Sequence, residues 1–212
     1  MYIGTEDGGI MLSGHNHKFP YDSLDETASK LASLVPKNID WAVTGGFAMD
    51  LAAGKQLRGR SDLDICVHVD NLQDVVDFSG NSGYRVGFEY FRLPYFVFID
   101  SIRFPKKVNF DKNKIKFIKL FSSDFLNGGR RDITSMIDVF PFEYGEGVVR
   151  GFYPREFEFP LSSRSVLEYS SSSGAIVPFH GPEYIILVKG LLVNKKHKMD
   201  LKFLTNSKAK GN

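Results

Sequence analysis

Apolar positions recur along this chain in two spacings, and the changes from one to the other mark its elements. Leu24, Ala28, Leu31, Leu34 and Val35 form one helical stripe, preceded by the capping-box pair Ser23 and Glu26 and stopped at or soon after Pro36. Ile39 to Thr44 reads as a strand, Gly45-Gly46 as a turn, and Phe47 to Ala53 as a short helix with Gly54 as its C-terminal cap. Further strands are expected over Asp62 to Val69, Tyr84 to Tyr90, Phe96 to Phe104, Ile115 to Phe121 and Ser135 to Phe142, with a helix over Leu72 to Phe78. Ser170 to Gly174 reads as a flexible surface loop. Helical spacing returns from Pro182 to Val193, and Met199 to Leu204 either continues it or forms a second short helix. The order implies an α/β (α+β) fold: a mixed twisted β-sheet flanked by helices, with a short C-terminal helical segment. The expected organisation is an N-terminal extension (1–22), a core (23–180), a helical segment (181–205) and a flexible tail (206–212).

The chain of 212 residues is long enough to bury a core as one domain with at most a small appendage. Its 19 Phe and 9 Tyr favour a strand-rich body with aromatic packing. Cys66, the only cysteine, excludes an internal disulfide and a thiolate zinc site, and a reducing cytoplasm is the simplest home. No apolar run suggests an export signal or a membrane span. Net charge is only +2, but basic residues cluster. Arg103, Lys106, Lys107, Lys112, Lys114, Lys116 and Lys119 stand against one acid, Asp111, and a lysine-rich run follows Lys189. Such runs are either solvated faces or surfaces that meet an anion.

Chemistry concentrates around two aspartates. Asp62 and Asp64 share one face of a period-two strand, while Leu63 and Ile65 take the other. Adjacent like charges on one face repel unless a cation or basic partners neutralise them, and Mg2+ (or Mn2+) is the economical answer because it prefers carboxylate and phosphate oxygens. Upstream, Gly45-Gly46 at a helix start offers side-chain-free backbone N–H groups that a triphosphate can approach, although a tight strand-to-helix turn would use the same residues. Neither of the commoner glycine-rich phosphate loops occurs in the chain. Two further aspartates, Asp138 in the run Met136 to Phe140 and Asp100 after Phe98-Ile99, sit in apolar surroundings, where a carboxylate needs a partner.

The run Gly45-Gly46-Phe47-Ala48-Met49-Asp50-Leu51, followed by Gly54, Arg58, Arg60, Ser61, Asp62 and Asp64, resembles the signature of the polymerase-beta-like nucleotidyltransferase superfamily. Within it, the chain looks most like the aminoglycoside and lincosamide nucleotidyltransferase group, and it is also similar to nucleotidyltransferase-like toxins. The resemblance implies the nucleotidyltransferase fold and transfer of a nucleoside monophosphate from an NTP to a hydroxyl, with release of pyrophosphate. It implies catalytic and metal-holding roles for Asp62, Asp64 and a third acid, Asp138 in preference to its rival Asp100 because the stretch after Asp138, through Pro178 and the Glu183 helix, follows the superfamily's usual order. Gly45, Gly46, Arg58, Arg60, Ser61 and Lys189 would lie along the nucleotide. The acceptor would be a small molecule such as an antibiotic. The alternatives are the same chemistry on RNA or protein, as in a toxin of a toxin-antitoxin system, and a nucleotide- or RNA-binding module without turnover.

Remaining polar residues take plainer roles. Cys66, His68, His180 and Trp41 read as structural, and His15 and His17 lack a third ligand.

Overall fold

The computed structural model describes residues 2–4, 9–12, 23–60, 62–90, 96–98, 115–128, 132–152, 157–161 and 166–191. In chain order the elements are β1 (Tyr2–Gly4), β2 (Gly9–Leu12), α1 (Leu24–Leu34), β3 (Trp41–Val43), α2 (Gly45–Ala53), β4 (Leu63–His68) and α3 (Leu72–Asn81). There follow β5 (Tyr84–Tyr90), β6 (Phe96–Phe98), β7 (Ile115–Ser122), α4 (Ser123–Leu126), β8 (Met136–Gly145), β9 (Val148–Gly151), β10 (Phe157–Pro160), β11 (Val166–Ser170), β12 (Ile176–His180) and α5 (Pro182–Leu191).

All the described strands join one mixed sheet in the order β1-β2-β6-β5-β7-β8-β4-β3-β12-β11, with β9 leaving β8 to pair with β10. The β4–β8 and β3–β12 pairs are parallel. Strand β8 is central because its first half pairs with β7, most of its length with β4, and its second half with β9.

Period-two patterning explains why the middle strands carry a core on one face and polar groups on the other. Leu63, Ile65 and Val67 of β4, Ile137 and Val139 of β8, and Ile118 and Leu120 of β7 belong to the main buried cluster. Ala28 and Leu31 of α1 and Leu72 and Val75 of α3 pack into the same cluster. The intervening residues Asp64, Asp138 and Lys119 therefore share the opposite face. Farther along that face Cys66, Phe142 and Tyr184 form a second buried cluster, so α5 covers one end of the polar row.

Most expected elements are present with ends shifted by a few residues, and Trp41 is in the core as read from sequence. Two regions differ. The stretch expected to be an N-terminal extension contains β1 and β2, and β2 adds itself to β6 at one edge of the sheet. The serine-rich stretch expected to be a flexible loop is the tight connection of the β11–β12 hairpin, held on α1. Asp25 accepts the Ser172 backbone N–H at 2.9 Å and also takes the Ser172 and Tyr169 hydroxyls. A carboxylate that far away in sequence gives no local signal. Ser61, Asp100, residues 99–104 of the expected β6 strand, the basic run through Lys114, both N-terminal histidines and everything after Leu191 lie outside the described residues.

Candidate active site

The site is built where β4 and β8 run parallel, because aligned residues of neighbouring strands project to the same side. Asp64 is the register partner of Asp138, and Asp138 is in turn the partner of Lys119 across the antiparallel β7–β8 ladder. With Asp62 just ahead of β4, oxygens of Asp62, Asp64 and Asp138 lie within 4.8 Å of one another. Asp138 is buried, while Asp62 and Asp64 are half-buried.

Three carboxylates this close repel one another. The Asp64 carboxyl is pushed up to about 7, first by burial and then by Asp62 and Asp138, with Lys189 and Lys119 pulling the other way. Hard, oxygen-rich and over-acidic, the set suits a divalent cation such as Mg2+ or Mn2+ far better than a soft metal.

Sequence reading missed Lys119, folding it into a basic surface run. The residue is instead 3% exposed, and its Nζ lies 2.7 Å from Asp138 Oδ1. The available signal was a lysine inside Ile118-Lys119-Leu120, out of phase with the apolar face of its strand. Lys189, singled out from sequence, is also buried. It lies one turn after Ile185 on α5, and its charge acts on Asp64.

The glycines earn their positions from their neighbours. Gly45 opens α2 with φ +62°, a conformation open to few other residues, and a Cβ there would lie 1.9 Å from Asp64 Oδ2. At Gly46 a Cβ would lie 2.6 Å from an Arg60 guanidinium nitrogen. Backbone closeness lets the α2 N-terminus press directly on the acidic cluster, and Thr44 N–H donates to the Asp64 carbonyl at 2.9 Å to fix the approach.

Arg60 is held from α2 itself. Its Nε donates to Asp50 Oδ2 at 2.9 Å, a second nitrogen bonds Oδ1, and Asp50 also accepts Leu57 N–H at 3.1 Å. Both side chains are essentially inaccessible to solvent. The acid in the short helix thus serves as the anchor of an arginine. The remaining Arg60 nitrogen, the one beside Gly46, makes no hydrogen bond to the described residues. Arg58 is half-buried and donates to the Gly59 carbonyl at 3.2 Å.

Cys66 and His180 are buried. Burial pushes the Cys66 thiol up to about 12, its sulfur lies 3.9 Å from the Tyr184 hydroxyl, and burial lowers His180 to about 3.

Chain order, parallel β4–β8 pairing and helix α2 entering at the acidic pair make one architecture. Against solved structures, the chain superposes on a lincosamide antibiotic adenylyltransferase bound to lincomycin with TM-score 0.55 and 15% identity, covering 87% of this chain and 98% of that one. The chain has the nucleotidyltransferase fold. Residues 28–103, which hold α2 and the Asp62/Asp64 pair, match the model of the aminoglycoside-2''-adenylyltransferase family. The resemblance first read from Gly45 to Asp64 thus recurs in a family model that matches part of the chain and in the fold. Other likenesses are to the antibiotic-resistance factor ANT(2'')-Ia in complex with adenylyl-2''-tobramycin (TM-score 0.46, 14% identity, 86% of this chain and 84% of that one). An antigenic nucleotidyltransferase-like protein from Paracoccidioides brasiliensis follows at TM-score 0.47 and 21% identity, over 87% of this chain and 74% of that one. No curated protein matches the sequence. Among the described residues no helix is long and apolar enough to cross a membrane.

Proposed function

We propose that this nucleotidyltransferase-fold chain is a divalent-metal-dependent enzyme that moves a nucleoside monophosphate from an NTP to a hydroxyl of a small antibiotic, releasing pyrophosphate. The observation that carries this reading is the Asp62, Asp64 and Asp138 cluster, with ligand atoms within 4.8 Å, set against the glycine start of α2. Asp62, Asp64 and Asp138 would hold the Mg2+ or Mn2+, which when bound neutralises charge on the triphosphate and the leaving pyrophosphate. The Gly45-Gly46 backbone and the α2 dipole offer the phosphates N–H donors, and the buried Arg60 guanidinium behind Gly46 adds positive charge. Lys189 adds a cation on the Asp64 side, and Arg58 and Ser61, in the loop leading to Asp62, are assigned to the nucleotide as well.

In the reaction the acceptor oxygen attacks the α-phosphorus and its proton passes to Asp138. The bond from that phosphorus to the bridging oxygen breaks, and pyrophosphate leaves with the electron pair. The antibiotic acceptor class is supported by the family match over residues 28–103 and by the relatives' own substrates.

The test is to incubate the protein with Mg2+, labelled NTPs and a panel of lincosamides and aminoglycosides, with cell RNA in a parallel arm. Label should pass to an antibiotic, and Asp62→Asn with Asp64→Asn should abolish both transfer and metal-dependent NTP binding. Label appearing only in RNA would overturn the acceptor class. Unchanged NTP affinity in the double variant would overturn the site itself.

A further inference from the structure

Lys119 has no part in the chemistry described so far, yet it occupies the same row as the reacting acids. It is buried to 3% exposure, its Nζ is 2.7 Å from Asp138 Oδ1, and Asp138 is the strand-register partner of Asp64. The three carboxylates thus share their space with two buried ammonium groups, Lys119 and Lys189. On the reading that this is a metal–nucleotide site, we propose that Lys119 is its built-in cation, occupying Asp138 so that the divalent ion enters with its nucleotide rather than ahead of it.

The physical argument is one of charge. A bare divalent ion attracted by Asp62 and Asp64 must approach a carboxylate that an ammonium already holds. For charges of +2 and +1 on the order of 5 Å apart, repulsion is about ten times the thermal energy even at an effective dielectric constant of about 20. A triphosphate brings enough negative charge to offset that repulsion, so metal and nucleotide favour each other's binding. Lys119 acts through Asp138 and is a positioning residue. A merely structural lysine would change stability without changing this dependence.

The measurement is Mn2+ binding at pH 8, followed by loss of the free-ion electron spin resonance signal. After the Mn2+ held by nucleotide alone is subtracted from protein-free titrations, wild-type protein should bind Mn2+ at least about tenfold tighter when α,β-methylene-ATP or α,β-methylene-GTP is present. Without nucleotide, Lys119→Gln and Lys119→Met should bind Mn2+ about tenfold or more tighter than wild type, while Lys119→Arg stays close to it. Adding Asp62→Asn and Asp64→Asn to Lys119→Gln should erase the gain, tying it to the acidic cluster. Equal Mn2+ affinity with and without nucleotide in the wild type overturns the proposal, whether or not the neutral variants fold. So does unchanged or weaker affinity in folded neutral variants. If nucleotide binds with Mn2+ at the aspartates but free Mn2+ binds equally well, Lys119 alone has been misjudged. If no metal-dependent nucleotide binding occurs at all, the nucleotidyltransferase reading falls with it.

Discussion

Asp138 has two tasks that compete in a single side chain: it completes the acidic cluster, and it balances the charge of a buried lysine. Asp138→Asn keeps the shape, lets the amide oxygen accept from Lys119 and removes the carboxylate. Turnover should fall by about a hundredfold to ten-thousandfold, the usual scale for lost proton transfer, while NTP affinity held through Asp62 and Asp64 changes little. Breaking a buried ion pair also costs stability, so thermal unfolding belongs beside the single-turnover measurement. Full turnover in a folded Asp138→Asn protein would remove it from the reaction. Sequence placed Asp138 in an apolar strand and asked what its partner was; the answer, Lys119, comes from a strand whose register no local pattern reveals.

At the scale of elements, α2 depends on a contact between its own second turn and the loop that follows it. Asp50 holds Arg60 and caps Leu57 N–H in a region closed to solvent. Asp50→Ala would leave the guanidinium buried without its counter-charge, a loss of about 3–5 kcal/mol, or on the order of 10 °C in melting temperature for a chain of this size. Differential scanning calorimetry checks this, and a melting temperature within about 2 °C of wild type would show that the pair contributes little. The glycines can be tested beside it. Gly46→Val pushes a branched side chain toward Arg60, so it should cost stability as well as nucleotide binding, whereas a phosphate-only role would leave the fold untouched. That steric demand is set by a residue fourteen positions downstream, which is why sequence suggested a phosphate turn but not the arginine beneath it.

Across the whole molecule, pH and metal should act together through Asp64. Its carboxyl titrates near 7 in the folded chain against an ordinary value of 3.8. The folded state therefore holds the proton more firmly than the unfolded state. The stability this group contributes is fully present below about pH 4 and is lost as pH rises through about 7. Metal-free protein should show that loss between these values, Asp64→Asn should flatten it, and Mg2+ with NTP should raise the melting temperature more at pH 8 than at pH 5.5. His180 works in the opposite sense: held neutral by burial down to about 3, it contributes stability that is lost as pH falls below the ordinary histidine value of 6.5. A melting-temperature series in metal-free buffer, run on wild type, Asp64→Asn and His180→Phe, separates the two. Identical pH profiles in wild type and Asp64→Asn would mean that the acidic cluster is not a proton-binding site.

By itself the sequence determined the alternation that puts Asp62 and Asp64 on one face and Leu63 and Ile65 on the other, the glycine break before a short helix, and the left-handed cap at Gly54, because each is written in residues a few positions apart. It also pointed to a lysine on the last described helix. Only the tertiary structure decided which acids meet, since Asp64 and Asp138 become neighbours through a parallel pairing that spans much of the chain. Only it removed Lys119 from the basic surface and set it against Asp138, fastened the β11–β12 turn to Asp25, and joined β2 to the sheet edge at β6. Short-range spacing fixes which face a side chain takes, but register between distant strands fixes what it finds there, and this chemistry depends on the second as much as on the first.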